Sequence, residues 1–267
     1  MNGNGAQHVD VVHTGPDSLA GRYLRTFWQP VARVQDLASG RALPIQIMCE
    51  RFTLYRGEEG VPHVVAFRCA HRGTQLSAGW VEGDDLRCLY HGWRYDGTGQ
   101  CVEQPGEDAG AGAHVRIRTY PTQEYLGLIF AYFGEGEPPS MKRFPDFEAA
   151  AELAVGPPQL WPCNYFNRID NACDPTHVAF THSTSTARLN PFATRRGPGL
   201  SDQLIAEETD YGVKTILMSQ EEGAHVIHFH MPNINQPRVS ESSSESELAS
   251  PCRERLFWRV PVDDAHC

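Results

Sequence analysis

The chain has 267 residues, 40% of them hydrophobic and 21% charged, which is enough apolar material for one large domain or two smaller ones. With 23 basic against 33 acidic side chains the net charge is −10, the wrong sign for holding a phosphate backbone by counterion release, so nucleic acid is excluded as a partner. No window approaches the roughly 18 apolar residues that a bilayer span needs, and the first residues carry no signal-peptide pattern, so a cytoplasmic protein is expected.

The 24 glycines and 19 prolines predict many turns and short strands rather than a helical bundle. Asp17 to Phe27 reads as a short helix at the end of an N-terminal arm (1–27). From Trp28 brief β-like runs follow: Val31 to Val34, Ile45 to Met48, Phe52 to Tyr55 and His63 to Phe67. Between Phe67 and Trp93 lie two loops rich in Gly, Cys and His, after which Val115 to Arg118 and Tyr125 to Phe133 resume the strand pattern. GEGEPP, Gly134 to Pro139, marks a boundary between a first domain (28–139) and a second (140–267). Beyond it a helix is predicted over Asn164 to Thr181, then strands over Gln203 to Thr209, Val213 to Ser219 and His225 to Met231. The expected class is α+β: an all-β domain followed by an incomplete domain with a helix on an antiparallel sheet. Pro237 to Pro251, rich in Ser and Glu, reads as a solvated loop.

Eight cysteines in a chain of this length, without a secretion signal, read as reduced thiols and metal ligands rather than a disulfide framework. Cys69 and His71 are separated by one residue, Cys88 and His91 by two. Zinc in a Cys2His2 site is the chemical rival, but such sites pair Cys with Cys and His with His. Here each loop supplies one of each, as a two-iron cluster needs when one iron is held by two thiolates and the other by two imidazoles. Neutral imidazoles remove negative charge from the outer iron and raise the reduction potential.

CAHRG with Leu76 downstream, then CLYHGWRYDGTGQC, resembles the Rieske domain of ring-hydroxylating oxygenases, with the pattern CxHRG followed by CxYHGW. The extra cysteine that respiratory-chain Rieske proteins carry in each loop is absent from Arg72 to Gln75 and from Gly92 to Tyr95. The resemblance implies that Cys69, His71, Cys88 and His91 bind a [2Fe-2S] cluster. Gly73, Gly92, Gly97 and Gly99 would let backbone amides approach the sulfurs, and Trp93 reads as packing.

In NYFNRIDNACDPTHVAFTH, Asn164 to His182, the residues Asp174, His177 and His182 are spaced Dx2Hx4H. On a helix Asp174 and His177 lie one turn apart, and the helix must loosen or end before His182 for both imidazoles to meet one ion. The segment resembles the catalytic motif of the same oxygenases, in which two His and a carboxylate hold ferrous iron and leave positions open for oxygen. That resemblance, nearest to the phthalate dioxygenase-like group, implies that His177 and His182 ligate mononuclear Fe(II). It also implies that Asp174 bridges to a cluster histidine, His91, of the neighbouring copy in a head-to-tail trimer. Asn167 and Asp170 match further polar positions of the motif. The family's third ligand, an acid well downstream of the strand LFWRVPVDD, is expected beyond Cys267, in a chain that reads as C-terminally truncated; Asp263 and Asp264 follow that strand without ligating iron in the family.

The implied activity is hydroxylation, or O- or N-dealkylation, of a small aromatic substrate with O2. Electrons would come from NADH through a separate flavin or ferredoxin reductase, since the chain has no nucleotide-binding loop. Arg195, Arg196 or Arg238 are candidates to pair with a substrate carboxylate, and His228 and His230, on one face of a predicted strand, are candidates to line the pocket. The alternatives are an electron-transfer protein whose second domain is not catalytic, and a zinc-stabilised interaction module.

Overall fold

The computed structural model describes residues 9–108, 110–174, 177, 181, 203–219, 223–239 and 253–267. The backbone divides into two units, Met1–Pro162 together with Val260–Cys267, and Cys163–Arg259. By packing, therefore, residues 140–162 and 260–267 go with the first unit, although composition alone suggests a break at Pro139.

The first unit opens with helix α1 (Leu19–Arg25), started by Ser18, whose side chain accepts from the Gly21 amide. It continues through β1 (Trp28–Arg33), β2 (Ala42–Ile47), β3 (Glu50–Arg56), β4 (Pro62–Ala66), β5 (Trp80–Glu82), β6 (Asp85–Arg87), β7 (Arg94–Tyr95), β8 (Cys101–Glu103), β9 (Thr119–Tyr120), β10 (Thr122–Tyr125), β11 (Leu128–Tyr132) and a short α2 (Pro145–Glu148). These strands form three antiparallel sheets, ordered β1-β11-β10, β2-β3-β4-β9 and β5-β6-β7-β8. The run expected from Tyr125 to Phe133 is in fact the end of one hairpin arm, its turn and the second arm, β11. Tyr125 pairs with Leu128 across Leu126 and Gly127, both at positive φ, which is the turn whose twist matches the flanking strands. Val115 to Arg118 does not form the expected strand, because its backbone bonds are spent singly on Cys101, Gly99 and Ala66.

A second hairpin has no sequence signal. Ile47 pairs with Glu50 across Met48 and Cys49, both at positive φ, where neither residue is Gly or Asn. The turn is held from outside by the amides of Met48 and Cys49, which donate to the carbonyls of Pro261 and Val262 at 2.8 and 3.0 Å. The buried Arg25 closes the same corner. Its guanidinium donates to the carbonyls of Thr14, Gly21 and Met48 and to the Glu50 carboxylate at 2.7 to 3.0 Å. One side chain thus ties the arm, α1 and the strained turn together, and the turn in turn carries the segment from Pro261.

The second unit holds α3 (Tyr165–Cys173) and β12 (Gln203–Thr209), β13 (Gly212–Ser219), β14 (Gly223–His230), β15 (Ile234–Val239), β16 (Arg253–Glu254) and β17 (Phe257–Trp258). The strands pair antiparallel in the order β12-β13-β14-β15-β16, with β17 also beside β15. Pro237 to Val239, expected as loop, belongs to β15; the remainder of that Ser- and Glu-rich stretch up to Pro251 lies outside the described residues. Helix α3 buries Tyr165 and Ile169, four apart on one stripe, and Asn235 donates to the Cys173 sulfur, so α3 lies on the Asn235 face of the sheet. The result is a helix laid on an antiparallel sheet.

Removing the Arg25 side chain leaves three carbonyls without a buried donor. Arg25→Ala is expected to cost roughly 3 kcal/mol, read as a lower urea midpoint at unchanged slope.

Candidate functional site

The four candidate ligand side chains, Cys69, His71, Cys88 and His91, are brought together at one end of the first unit by two loops of the same construction. The first, residues 69–74, is closed by the bridge between Arg68 and Gln75; the second, residues 88–93, is closed by the β6–β7 pair Arg87 and Arg94. In each, the cysteine amide donates to the carbonyl of the last loop residue, Cys69 to Thr74 and Cys88 to Trp93, both at 2.8 Å. In each, the fifth residue is a glycine whose amide returns to the cysteine carbonyl, Gly73 to Cys69 at 3.0 Å and Gly92 to Cys88 at 3.1 Å. Those glycines sit at φ +69° and +73°, a region that side chains disfavour, which is why both loops need Gly there. The sequence-based expectation that Gly73, Gly92, Gly97 and Gly99 aim amides at the sulfurs is corrected: Gly73 and Gly92 bond to cysteine carbonyls, Gly97 packs against His63 and Gly99 against Ile117. The amides that do reach a sulfur belong to Tyr90 and His91, which point at Cys88.

Cys69 and Cys88 are core residues, 4% and 2% exposed, packed with Tyr55, Leu76, Leu86, Tyr95 and Cys101. The two sulfurs are within hydrogen-bonding reach of one another, and burial first, then the neighbouring sulfur, pushes the Cys88 thiol up. Both protons must leave on metal binding. The Tyr95 hydroxyl accepts from the Ala70 amide at 3.2 Å and lies 3.1 Å from the Cys69 sulfur. A thiolate can only accept, so with metal bound Tyr95 donates to it.

The imidazoles stand at the rim. His71 and His91 rings are 4.6 Å apart at 68°, His71 half-buried and His91 exposed. Trp93, expected only to pack, lies flat on His71 at 4.7 Å and 7°, fixing that ring's plane. His71 Nδ1 is buried without a hydrogen-bond partner while Arg72 Nε lies 3.4 Å from its Nε2. The atom offered to a metal is therefore Nδ1, facing inward. Among the described residues no three His, Cys, Asp or Glu side chains stand close enough to hold a single metal ion. A tetrahedral zinc ion needs all its donors within about 2.3 Å of one point. Two buried sulfurs with two imidazoles spread across the rim fit a larger, two-metal group.

Around the second loop an ion lattice runs Glu82–Arg87–Glu103–Arg94–Asp85, with contacts of 2.7 to 3.1 Å. The Arg87 guanidinium first, and the Trp80 indole second, hold the Glu82 carboxyl down at about 2, and Arg87 lowers Glu103 as well.

In the second unit the expected helix from Asn164 to Thr181 is interrupted after Cys173, and of the rest of that range the described residues are Asp174, His177 and Thr181, the last two helical again. Asp174 is the cap, in extended backbone at φ −110°, ψ 94°. Pro175 is the cause, because a residue before proline is forced out of the helical region. Asp174 and His177 are thus not neighbours on one helix turn. His177 Nδ1 donates to the Asp174 carbonyl at 2.6 Å, which puts the ring's lone pair on Nε2. His182, Arg195 and Arg196 lie outside the described residues. Asn167, Asp170 and Asp174 are exposed.

His228 and His230 share a strand face, rings 6.0 Å apart, but that face is opposite Asn235 and so turned away from α3, which does not suit pocket residues. They bond Tyr211 and Gln236 at 2.7 Å. Arg238 is paired with Glu254. Asp264 accepts from the Thr14 amide at 2.7 Å, and Asp263 from the Ala265 amide and His266, so both late acids serve the first unit's own structure.

Residues 27–121 match the family model for the Rieske [2Fe-2S] domain. The chain is 31% identical over 211 residues to the oxygenase subunit of 5,5'-dehydrodivanillate O-demethylase of Sphingobium sp., covering 77% of this chain and 50% of that one. It is 34% identical to phenoxybenzoate dioxygenase subunit alpha of Ectopseudomonas oleovorans, covering 99% of this chain and 68% of that one. The reduced complex between oxygenase and ferredoxin in carbazole 1,9a-dioxygenase contains a chain with a TM-score of 0.67 at 20% identity, over 92% of this chain and 72% of that one. The chain spans about half the length of the first of these relatives.

Two measurements check this site. Tyr95→Phe removes one donor to a thiolate ligand and is expected to lower the reduction potential by up to ~59 mV, a tenfold change for one electron, in a redox titration. For Glu82, whose folded pKa lies below its ordinary 4.5, the stabilisation is complete above 4.5 and is lost as pH falls from 4.5 to about 2. Hydrogen exchange in the β5–β8 sheet is expected to accelerate through that window, and Glu82→Gln is expected to flatten the dependence.

Proposed function

The chain belongs to the Rieske oxygenase family, and on that premise we propose that it is the cluster-bearing part of an oxygenase component acting on a small aromatic substrate, by hydroxylation or by O- or N-dealkylation. When bound, a [2Fe-2S] cluster supplies one-electron transfer and a mononuclear ferrous ion supplies the site where dioxygen is reduced.

Cys69 and Cys88, both within the apolar core, would hold the cluster as thiolates, where the low dielectric strengthens each hydrogen bond to sulfur. Tyr95 steadies the Cys69 thiolate by donating to it. His71 and His91 would bind as neutral rings, His71 through its buried Nδ1, with His91 exposed at the surface. The observation that carries this reading is the pair of matching loops with buried sulfurs and an inward, unpartnered His71 Nδ1.

His177 is oriented by the Asp174 carbonyl to present Nε2 to iron, with His182 as its partner ligand and Asp174 bridging to His91 of the neighbouring copy in a head-to-tail trimer. NADH contributes indirectly, through a separate ferredoxin or flavin reductase. Support for a separate donor comes from the names of the relatives, which are oxygenase subunits, and from the carbazole dioxygenase complex with its ferredoxin. No helix among the described residues is long and apolar enough to cross a membrane.

The test is metal and sulfide analysis of the purified chain with its visible and electron paramagnetic resonance spectra. Iron and sulfide in [2Fe-2S] proportion, lost in Cys69→Ser, support the reading; a colourless protein carrying zinc sinks it. His177→Ala is expected to keep the cluster's spectrum while lowering the iron held beyond it.

A further inference from the structure

Each cluster cysteine is preceded by an arginine, and the two arginines make the same bond. Arg68 Nη1 donates to the Gly73 carbonyl at 2.8 Å and Arg87 Nη1 to the Gly92 carbonyl at 2.7 Å. In both loops the acceptor belongs to the left-handed glycine whose amide returns to the cysteine carbonyl. The guanidinium therefore closes each loop from outside its neck, spanning the five residues that contain both ligands.

The supports of the two clamps differ. The Arg87 side chain is 14% exposed, and its remaining donors are shared by both oxygens of Glu82, at 2.8 and 2.7 Å, and both oxygens of Glu103, at 3.2 and 2.9 Å. Glu103 is itself bonded by Arg94. Arg68 is exposed, and among the described residues no carboxylate pairs with it. A planar fork is required to serve two carboxylates and a carbonyl at once, which an ammonium does not provide.

We infer that Arg68 and Arg87 are paired positioning residues that hold the two ligand loops in their binding form, and that Arg87 is the dominant one because two carboxylates lock its guanidinium. The inference rests on the cluster reading above.

The experiment compares Arg87→Gln, Arg87→Lys, Arg68→Gln and the milder Glu103→Gln with wild type in the full chain. The readouts are the line shape of the reduced-cluster spectrum, the midpoint potential and the rate of cluster loss to a chelator. Arg87→Gln is expected to broaden the spectrum, shift the potential and speed cluster loss about tenfold, as loss of a charge-assisted clamp predicts. Arg87→Lys should do the same, Glu103→Gln should fall between it and wild type, and Arg68→Gln should change the rate by less than about threefold. A wild-type spectrum and potential in Arg87→Lys, no change in Glu103→Gln, or an effect of Arg68→Gln as large as that of Arg87→Gln would each overturn the inference. Hydrogen exchange on metal-free protein separates the two readings: the Gly92 amide should lose protection in Arg87→Lys while the Gly73 amide keeps it, whether or not any cluster binds. Unchanged Gly92 protection sinks the clamp, whereas a chain that takes up no cluster sinks only the functional reading.

Discussion

The structure of the first unit depends on closing two short loops so that each carries a thiol inward and an imidazole outward. Each loop achieves this with one bridge at its neck, one amide bond across its mouth and one left-handed glycine. Because the cysteine is the first residue past the neck in both cases, the sulfurs fall on the core side, among Leu76, Leu86 and Tyr95. The histidines come two and three residues later, where the loops have turned back toward solvent. The unequal environments of sulfur and nitrogen are thus a consequence of loop length and not of any special residue at the ligands.

Strands of two and three residues supply few ladder bonds, and arginine makes up the difference. Arg25 and Arg87 each gather several acceptors from separate segments, and each is largely withdrawn from water. A guanidinium suits this work because its donors are fixed in a plane and it stays charged at any accessible pH. The cost is a shell of acids held ionised around the second loop, which ties the rigidity of that loop to pH at the acid end.

The second unit handles its ligand segment differently. A regular helix, anchored by Tyr165 and Ile169 on the sheet, is interrupted at Asp174, the residue before a proline, and His177, helical again, bonds through its ring to the Asp174 backbone carbonyl.

The two Cys- and His-bearing loops, the Rieske domain and the helix-on-sheet class were legible in the sequence, because residue spacing and hydrophobic period are local properties. The break at Asp174 was not read from the sequence, because the periodic pattern continues past Pro175 to Phe180. What the sequence did not show were the Arg68 and Arg87 clamps, the stack of Trp93 on His71, the turn at Met48 and Cys49, and the return of Pro261 to Cys267 to the first unit. Each of these joins residues whose meeting is decided by loop closure or by distant segments, and no spacing rule encodes that. The sequence by itself determined which atoms can bind metal; tertiary structure alone decided that the sulfurs are buried, His71 half-buried and His91 exposed, because burial is a property of what packs around a residue.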